Sequence, residues 1–305
     1  MAVPHTSTQF ADLLDPRFQR IWNDTYPQLP DMVSQLYTMQ ATNGRNDMRW
    51  SSVGAFGDIP QFTGSVTYDD VSQGYDTTMT PLEFASGVQV ERKLFDDDQY
   101  GIMDQRPVGL ARAYNRTRQP HAFRLLNNAF SVDTFFYNNS EGVALCSNSH
   151  TTTSGASTAS GFDNLVTSAL SATAVTAARI QMMGFRDDRA NRIQTTPSAI
   201  YHPVDLYDVA EEIVKSAGKP TDATNAVNVH HNGYTLHSSV YMTDTNNWFM
   251  TDESLRRECV FWSDRVGVEF AMIEDFDTLV AKWRLYARYG MAWRDWRFIL
   301  GASVS

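Results

Sequence analysis

The sequence is short of cysteine and has no long hydrophobic run. Cys146 and Cys259 are the only cysteines, too few for a disulfide framework or a cysteine-rich zinc site, and we expect both to be packed in the interior. No segment approaches the roughly eighteen consecutive apolar residues of a membrane helix. The first twenty residues lack the basic start and apolar stretch of a secretory signal. These absences predict a soluble protein that is made in the cytoplasm and has no membrane partner.

Lysine is scarce, and negative charge outweighs positive charge. The formal net charge of −10 disfavours a protein that holds nucleic acid by broad neutralisation of phosphates, because that requires a basic face. Only four of the 25 Lys and Arg residues are lysines, and arginine is the cation enriched at interface cores. Seven Trp, thirteen Tyr and seventeen Phe add side chains that anchor interfaces. The composition favours a protein with a large contact surface.

Recognisable catalytic motifs are missing. The sequence has no GxGxxG after a strand, no GxxxxGK[ST], no HExxH and no GxSxG. Cys146 and His150 could form a nucleophile and a base, but the residues between them read as a loop leading into low-complexity sequence. His230, His231 and His237 lie close together, but adjacent histidines on a strand point to opposite faces, so at most two could converge on a metal. We therefore predict no catalytic, cofactor-binding or metal site and no enzymatic activity.

The first 42 residues read as an extended arm with two short helices. Asp15-Pro16 is a good N-cap and first-turn pair for the first helix, and Asp31 can cap the second. Between them, the two prolines of segment 26–30 should keep the chain extended. Helices of about ten residues are marginal alone in water. The arm therefore needs something to pack on, either its own domain or a neighbouring copy.

Residues 43–85 form a compositionally distinct segment that is rich in Gly, Thr, Ser and Asp and contains no Lys. The β-favouring residues 65–68 and the turn-like residues 69–74 predict a long two-armed hairpin. Too few large apolar residues alternate here to bury a sheet face, and an isolated hairpin is only marginally stable. The hairpin should therefore lie against a partner. The alternative is a disordered loop.

The middle of the chain mixes strands and helices. Residues 86–90 predict a strand, and the acidic run 96–98 predicts a solvated turn or an Arg-binding patch. Residues 106–135 predict a long helix in which Pro120 should cause a kink or a break. The Thr/Ser/Gly run 151–161 predicts a flexible surface loop. Beyond it, helices are predicted around 166–170, over 174–183 and after Pro203, and strands over 198–201, 234–242, 248–250 and 268–273.

The clearest strand candidate spans residues 277–290. Apolar residues occupy every odd position from 279 to 289, and the even positions mostly hold Thr, Lys or Arg. This is period-two alternation over about fourteen residues, roughly 45 Å of strand, whereas ordinary strands stop near ten residues. The pattern predicts an elongated domain, with the odd face packed on the long helix.

The order of arm, long hairpin, long helix, α/β region and very long terminal strand resembles the major capsid proteins of tailed bacteriophages, which share the Hong Kong 97-like fold. The Mu-like major head subunits are the most similar members. Gly87–Asp96, Leu110–Phe130 and Leu145–His150 resemble the hairpin return, the long helix and a short Leu-to-His element of that family. Asp275–Thr278 and the Arg-bearing strand are similar to its C-terminal ending. The resemblance covers nearly the whole chain and rests mainly on order and proportion.

The resemblance implies an α+β chain with a defined domain order. This order is an N-terminal arm (1–42), an extended hairpin loop (43–85), a peripheral domain with a long spine helix (86–160 and 276–290) and an axial α/β domain (161–275 and 291–305). It also implies a major capsid (head) protein, made in the host cytoplasm and located in the virion. Pentamers and hexamers of this homo-oligomer would close into an icosahedral shell around double-stranded DNA, with portal, scaffold or decoration proteins as further partners. A negative charge suits a container that must not bind its contents tightly.

Two other functions compete with this interpretation. An encapsulin-like compartment uses the same fold to enclose cargo proteins, but those chains are shorter in the arm and the hairpin. An α/β enzyme domain with a mobile lid at 43–85 would need a perturbed acid–base pair in a pocket, and the sequence offers none.

Overall fold

Three β-sheets and a set of helices form the computed structural model of the chain, which confirms the α+β class. It describes residues 20–29, 31–42, 44–66, 68–70, 73–91, 93, 105–219, 226–275, 278 and 280–304. The helices are α1 (20–25), α2 (Val33–Leu36), α3 (Gln105–Asn127), α4 (Ala172–Met182), α5 (Tyr207–Lys215) and α6 (Glu253–Cys259). The strands are β1 (Thr38–Met39), β2 (Met48–Val53), β3 (Gln73–Met79), β4 (Leu82–Glu91), β5 (Tyr137–Asn139), β6 (Leu165–Val166), β7 (Ala199–Pro203), β8 (Thr235–Ser239), β9 (Trp248–Thr251), β10 (Val260–Asp275), β11 (Val280–Trp293) and β12 (Ile299–Ala302).

An antiparallel ribbon of two long strands forms the centre of the first sheet, whose order is β1-β10-β11-β4. β10 has 16 residues and β11 has 14. Along β11, buried odd positions from 281 to 289 alternate with exposed or half-buried even positions, which confirms the predicted alternation. The strand spans 280–293 instead of 277–290, and positions 277 and 279 lie outside the described residues.

β10 is much longer than the strand predicted for 268–273. Its pairing with β11 shifts register between Asp264 and Val266 and again between Val266 and Glu269. Each irregularity changes which residues face the core, so no single period-two pattern runs along the strand. Sequence periodicity therefore detects only its regular second half, and the sequence interpretation missed residues 260–267.

Helix α3 is the predicted long helix, and it ends at Asn127 instead of near residue 135. The Asp133 carboxylate accepts hydrogen bonds from Arg124 at 2.7 and 2.9 Å, and this pair holds the chain as it leaves the helix. Pro120 lies inside α3 without ending it, so of the predicted kink or break the break is wrong. Its side chain is on the exposed side, where water can satisfy the carbonyl that the missing N–H leaves free.

The second sheet has the order β6-β12-β9-β7-β8. β9 runs antiparallel to β7 and β12, whereas β7 and β8, like β6 and β12, are parallel pairs. The helix predicted around 166–170 is wrong, because Leu165–Val166 pairs as a strand with Gly301–Ala302 at the other end of the chain. The strands predicted at 198–201, 234–242 and 248–250, and the helices predicted over 174–183 and after Pro203, are confirmed.

The described part of the N-terminal segment packs on its own chain. The Trp22 ring is buried and stacks on Phe270 of β10 at 5.3 Å, and the Tyr37 hydroxyl donates to the Ala122 carbonyl of α3 at 2.5 Å. Asp31 accepts from the backbone of Val33 at 3.1 Å, as predicted for the second helix. The predicted helix start at Asp15-Pro16 lies outside the described residues.

Residues 26–28 are not extended as predicted, whereas Leu29 is extended and Pro30 lies outside the described residues. Tyr26–Gln28 forms a 3-10 helix with proline at its start, which a proline φ near −65° permits. The Tyr26 ring lies between Trp22 and Tyr114 of α3, at 5.6 Å from each. Aromatic packing against the body of the protein therefore decides the local conformation.

A continuous core joins the sheets to the helices. Its largest fully buried side chains include Trp248, Trp262 and Trp293. Cys146 and Cys259 are buried and unbridged, which confirms that both are packed residues. Burial raises the pKa of the Cys259 thiol to about 12. Among the described residues, no helix is both long and apolar enough to cross a membrane.

Candidate assembly surfaces

The base of the predicted hairpin is a regular sheet. β2 and β3 pair antiparallel from Met48↔Met79 outward, and β5 continues this third sheet on the other side of β3. Met79 and Thr77 are buried here. The hairpin is confirmed, and its base belongs to the body of the protein.

The tip of the hairpin, residues 54–70, contains no strand in its described part, so the strand predicted around 65–68 is wrong. Its large apolar side chains are nevertheless exposed. Phe56 is 72% exposed, Ile59 96% and Phe62 70%. Val53, Val66 and Tyr68 add to this set, which we name the apolar tip.

The sequence analysis missed the apolar tip. The available signal was an apolar residue at every third position, 53, 56, 59 and 62, within an otherwise polar segment. That spacing fits neither a helix nor a strand buried on one face. Contiguous exposed apolar surface on a protein indicates an interaction site.

A set of polar contacts, which we name the latch, holds the tip against the turn 187–191. The Arg189 guanidinium pairs with Asp69 at 2.6 Å and also donates to the Asp70 carbonyl. Asp69 in turn accepts from the backbone N–H of Gly57 at 2.6 Å. This backbone hydrogen bond, followed by the Arg189 contact, lowers the pKa of Asp69. At the base of the tip, the Ala55 N–H donates to Asp188 at 2.8 Å.

The loop predicted at 151–161 is irregular, and its first residues are hydrogen-bonded to the hairpin and to the same turn. The Thr153 hydroxyl donates to the Gln73 carbonyl at 2.9 Å, and Thr152 donates to the Asp188 carbonyl at 2.6 Å. The Tyr75 hydroxyl lies 2.6 Å from that of Thr151. The hairpin, the loop and the turn therefore form one connected polar unit.

The outer face of the long ribbon is a second candidate surface. Arg284 is exposed and forms no ion pair within the described part of the chain, whereas Lys282 pairs with Asp275 at 3.3 Å. Ile273 beside them is 69% exposed. Gly87 on β4 is needed here, because a Cβ would lie 2.7 Å from the Trp283 carbonyl oxygen.

The inner face of the ribbon has two halves. Toward its C-terminal end, Tyr289 contacts the long helix, with its hydroxyl 2.9 Å from His121. Toward its start, Trp283 packs in a smaller cluster with Val90 and Ala281. The expectation that the odd face packs on the long helix is thus confirmed for the half around Tyr289.

The histidines considered as metal ligands do not converge. The His230 ring bonds Thr176 at 3.0 Å, His231 bonds Asn232 at 3.1 Å, and His237 stacks on Tyr201 at 4.7 Å. Within the described ranges, no group of three or more His, Cys, Asp or Glu residues could hold a metal ion.

Cys146 and His150 have separate environments. His150 is buried, bonds Glu141 at 3.1 Å and stacks on Trp296 at 4.3 Å. Burial raises the pKa of Cys146 far above its ordinary value, so its thiol stays protonated and is a poor nucleophile. Cys259 lines a cavity of about 290 Å³ beneath the hairpin, and its raised pKa has the same consequence there. Cys146 and His150 are thus both packed in the interior.

Similar folds occur in solved phage and phage-like capsids. The chain superposes on the capsid of a native GTA particle with a TM-score of 0.54 and 14% identity, covering 91% of both chains. For the procapsid of bacteriophage JBD30 the TM-score is 0.55 and the identity 15%, covering 97% of this chain and 75% of that one. For the capsid of the cyanophage P-SCSP1u the values are 0.57 and 12%, covering 88% and 86%. At these identities the likeness establishes the fold.

The family is assigned from the sequence. The phage capsid protein family matches residues 74–302, from the returning arm of the hairpin to the last strand. No curated protein sequence matches significantly, and the family match does not single out the Mu-like head subunits. Since the match extends over most of the 305 residues and the fold recurs in assembled capsids, the chain belongs to the phage capsid protein family and is a major capsid protein.

Proposed function

We propose that this capsid protein assembles into pentamers and hexamers, which close into the icosahedral head of a tailed phage around double-stranded DNA. The single observation that carries the proposal is the exposed apolar tip on a hairpin with a well-formed base. Portal, scaffold or decoration proteins are proposed as further partners. Synthesis in the host cytoplasm and location in the virion follow from the same proposal, as does the absence of enzymatic activity.

The partner proposed for the apolar tip is a second copy of the chain. Phe56, Ile59 and Phe62 expose large apolar area that burial would stabilise at about 25 cal/mol per Å². Obligate interfaces bury about 2,000–5,000 Å² and resemble a domain core, which suits apolar anchors of this kind. A head-to-tail contact, in which the tip of one copy lies on another surface of the next, forms a ring when the rotation between copies closes.

The proposed domain division is the one that the resemblance implies, and two of its boundaries fall within β4 and β11. The arm (1–42) and the hairpin loop (43–85) precede a peripheral domain that includes 86–160, and the axial domain includes most of 161–275 together with 291–305. The pairing of β10 with β11 along its length favours one change, which assigns 260–275 to the peripheral domain. The pairing of β12 with β6 and β9 supports the axial assignment of the C-terminal residues.

The test is assembly of a surface variant that leaves the latch intact. Phe56→Ser combined with Ile59→Ser and Phe62→Ser should fold and melt like the wild type, because these side chains are exposed, but should not form shells. The control combines Val132→Ser with Val240→Ser, two exposed apolar residues elsewhere, and should assemble. Negative-stain microscopy and sedimentation give the result.

A wild-type protein that stays a 34.4 kDa monomer at high concentration contradicts the proposal. If the triple variant assembles, the proposed contact of the apolar tip with a second copy is contradicted, but assembly itself is not. Particles that form in infected or expressing cells and contain cargo protein instead of DNA would indicate an encapsulin-like compartment.

A further inference from the structure

We infer that the exposed face of helix α3 is a contact surface for the phosphate backbone of duplex DNA. The inference deepens the proposed function and rests on it, since the DNA in question is the packaged genome. Its basis is the distribution of charge along α3, which the sequence analysis did not use.

Helix α3 is basic within an acidic protein. Its 23 residues include five arginines and no Asp, Glu or Lys, whereas the whole chain carries a formal charge of −10. Helices usually place acidic residues in the first turn, near the positive end of the macrodipole. The first turn of α3 instead holds Arg106 and no acidic residue.

The five arginines divide into two groups. Arg118 pairs with Asp31 and Asp264 at 3.4 and 3.0 Å, and Arg124 pairs with Asp133 at 2.7 Å. These two face the body of the protein and serve the fold. The other three, Arg106, Arg112 and Arg116, are exposed, and none forms an ion pair with a residue in the described part of the chain.

The three exposed arginines lie within about 120° of one another around the helix, with Arg112 and Arg116 nearly aligned and Arg106 a third of a turn away from Arg112. Arg112 and Arg116 are one turn apart, about 6 Å along the axis, and Arg106 lies about 9 Å before Arg112. Duplex DNA presents one phosphate per roughly 3.4 Å of axis on each strand. A row of about 15 Å can therefore contact several phosphates at once, and guanidinium groups bind phosphate with two parallel hydrogen bonds.

A protein partner fits this face poorly. Protein interfaces have an apolar core anchored by aromatic or aliphatic side chains. No large apolar side chain of α3 is exposed, and the remaining exposed positions are Gln105, Gly109, Thr117 and Pro120. No atom lies within 4 Å of a Cβ built at Gly109, so the DNA backbone can approach the helix closely at this position. A polyanion with regularly spaced charges suits the surface better.

The contact is expected to be weak and salt-dependent. Three phosphates neutralised per subunit give a slope of log K against log salt of about −2.7. Between 50 and 200 mM salt this corresponds to a loss of affinity of about 40-fold. Such a contact orders DNA at the wall of a container without holding it tightly, which agrees with the acidity of the rest of the chain.

The experiment compares unassembled full-length subunits by fluorescence anisotropy with a duplex of about 30 base pairs. Arg112→Gln combined with Arg116→Gln should reduce the loss between 50 and 200 mM to about 3-fold, since each phosphate contact contributes about 1 to the slope. The control, Arg179→Gln with Arg257→Gln, removes two exposed arginines outside α3 and the same charge, and should behave like the wild type.

Equal salt slopes for the two double variants overturn the inference, as does a wild-type subunit that does not bind the duplex at 50 mM salt. A poly-glutamate competitor that displaces the DNA at equal charge concentration would assign the face to an acidic protein segment and would also overturn it. Because binding is measured before assembly, the outcome is independent of whether shells form. Failure of the proposed function is detected separately by microscopy.

Discussion

Trp283 and Arg284 are neighbours in β11 that face opposite sides of the sheet. Trp283 is 5% exposed and packs with Val90 and Ala281. Replacing Trp283 with Asp removes an aromatic contact worth about 3–5 kcal/mol and buries an unpaired carboxylate. Against a total stability of about 5–15 kcal/mol, little folded subunit should remain. Thermal melting of the subunit checks this, and a wild-type melting curve would contradict the assignment of Trp283 to the inner face.

Arg284→Asp should impair assembly but not folding. The side chain is exposed and has no ion-pair partner in the described part of the chain, so the subunit should fold with a nearly unchanged melting temperature. Assembly should weaken, because reversing a charge at an interface lowers affinity and association rate. Sedimentation of the particles measures this, with Lys282→Asp as a comparison in which an intrachain pair with Asp275 is also lost. Failure to fold would mean that Arg284 supports the core.

Asp133 should make stability depend on pH. Burial alone would raise its pKa, but the hydrogen bonds from Arg124, Asn128 and the Phe135 backbone outweigh burial and hold the pKa below its ordinary value. A carboxyl with a lowered folded-state pKa stabilises the fold above its unfolded pKa of about 3.9. That contribution is lost as the pH falls through the folded-state pKa.

Asp133→Asn should therefore be less stable than wild type by about 1–3 kcal/mol at pH 7, with a smaller loss of stability between pH 5 and pH 2. Denaturant melts across this range measure the difference. Parallel pH curves for the two proteins would show that another carboxyl dominates acid unfolding.

The hairpin is an element held in two different ways, by β-pairing at its base and by the latch at its tip. Arg189→Ala removes the contacts to Asp69 and Asp70 and leaves the strands β2 and β3 intact. The tip should then open more often, since its remaining described contacts to the turn are few. Chymotrypsin, which cleaves after Phe and Tyr, should cut the tip several-fold faster in the variant.

The matched control for the latch is Arg192→Ala, an exposed arginine three residues further on with no ion pair in the described ranges. It should be cleaved at the wild-type rate. If both variants and the wild type were cleaved equally, the tip would be held by other contacts. A change in the melting temperature of the whole subunit would show that the turn 187–191 also supports the core.

At the scale of the whole particle, covalent cross-linking is not expected. Some members of this fold join a hairpin lysine to an asparagine of a neighbour, which requires an amine nucleophile at the hairpin. Residues 43–85 contain no lysine, and the first one after them is Lys93. Boiled and reduced particles should run as a single band near 34.4 kDa. A ladder of multiples would contradict this expectation.

If the particle is held by non-covalent contacts alone, we expect the apolar tip and the ribbon face to contribute a correspondingly larger share of the binding between subunits. The tip is latched to its own chain in the isolated subunit. If the tip contacts a neighbouring copy in the shell, the latch can persist only where the tip can bind that copy and Arg189 at the same time. Assembly of the Arg189→Ala protein into shells therefore tests whether the latch affects the contact between subunits.

By itself, the sequence determined the features that local patterns encode. The alternation along 279–289 indicated the long terminal strand, the composition of 43–85 indicated the hairpin, and the apolar stripe after residue 106 indicated the long helix. The burial of the two cysteines also followed from composition. In each case, neighbours within a few residues specify the conformation.

Tertiary structure alone decided the rest, because the relevant contacts join residues far apart in the chain. Leu165–Val166 is a strand only because Gly301–Ala302 pairs with it. Tyr26–Gln28 turns as a 3-10 helix because Tyr26 packs on Tyr114, and the bulges of β10 hide its length from any periodic pattern. The latch between Asp69 and Arg189, 120 residues apart, has no local signal at all. Partners of this kind are specified by the whole packed chain, which is why the latch emerged only from the structure.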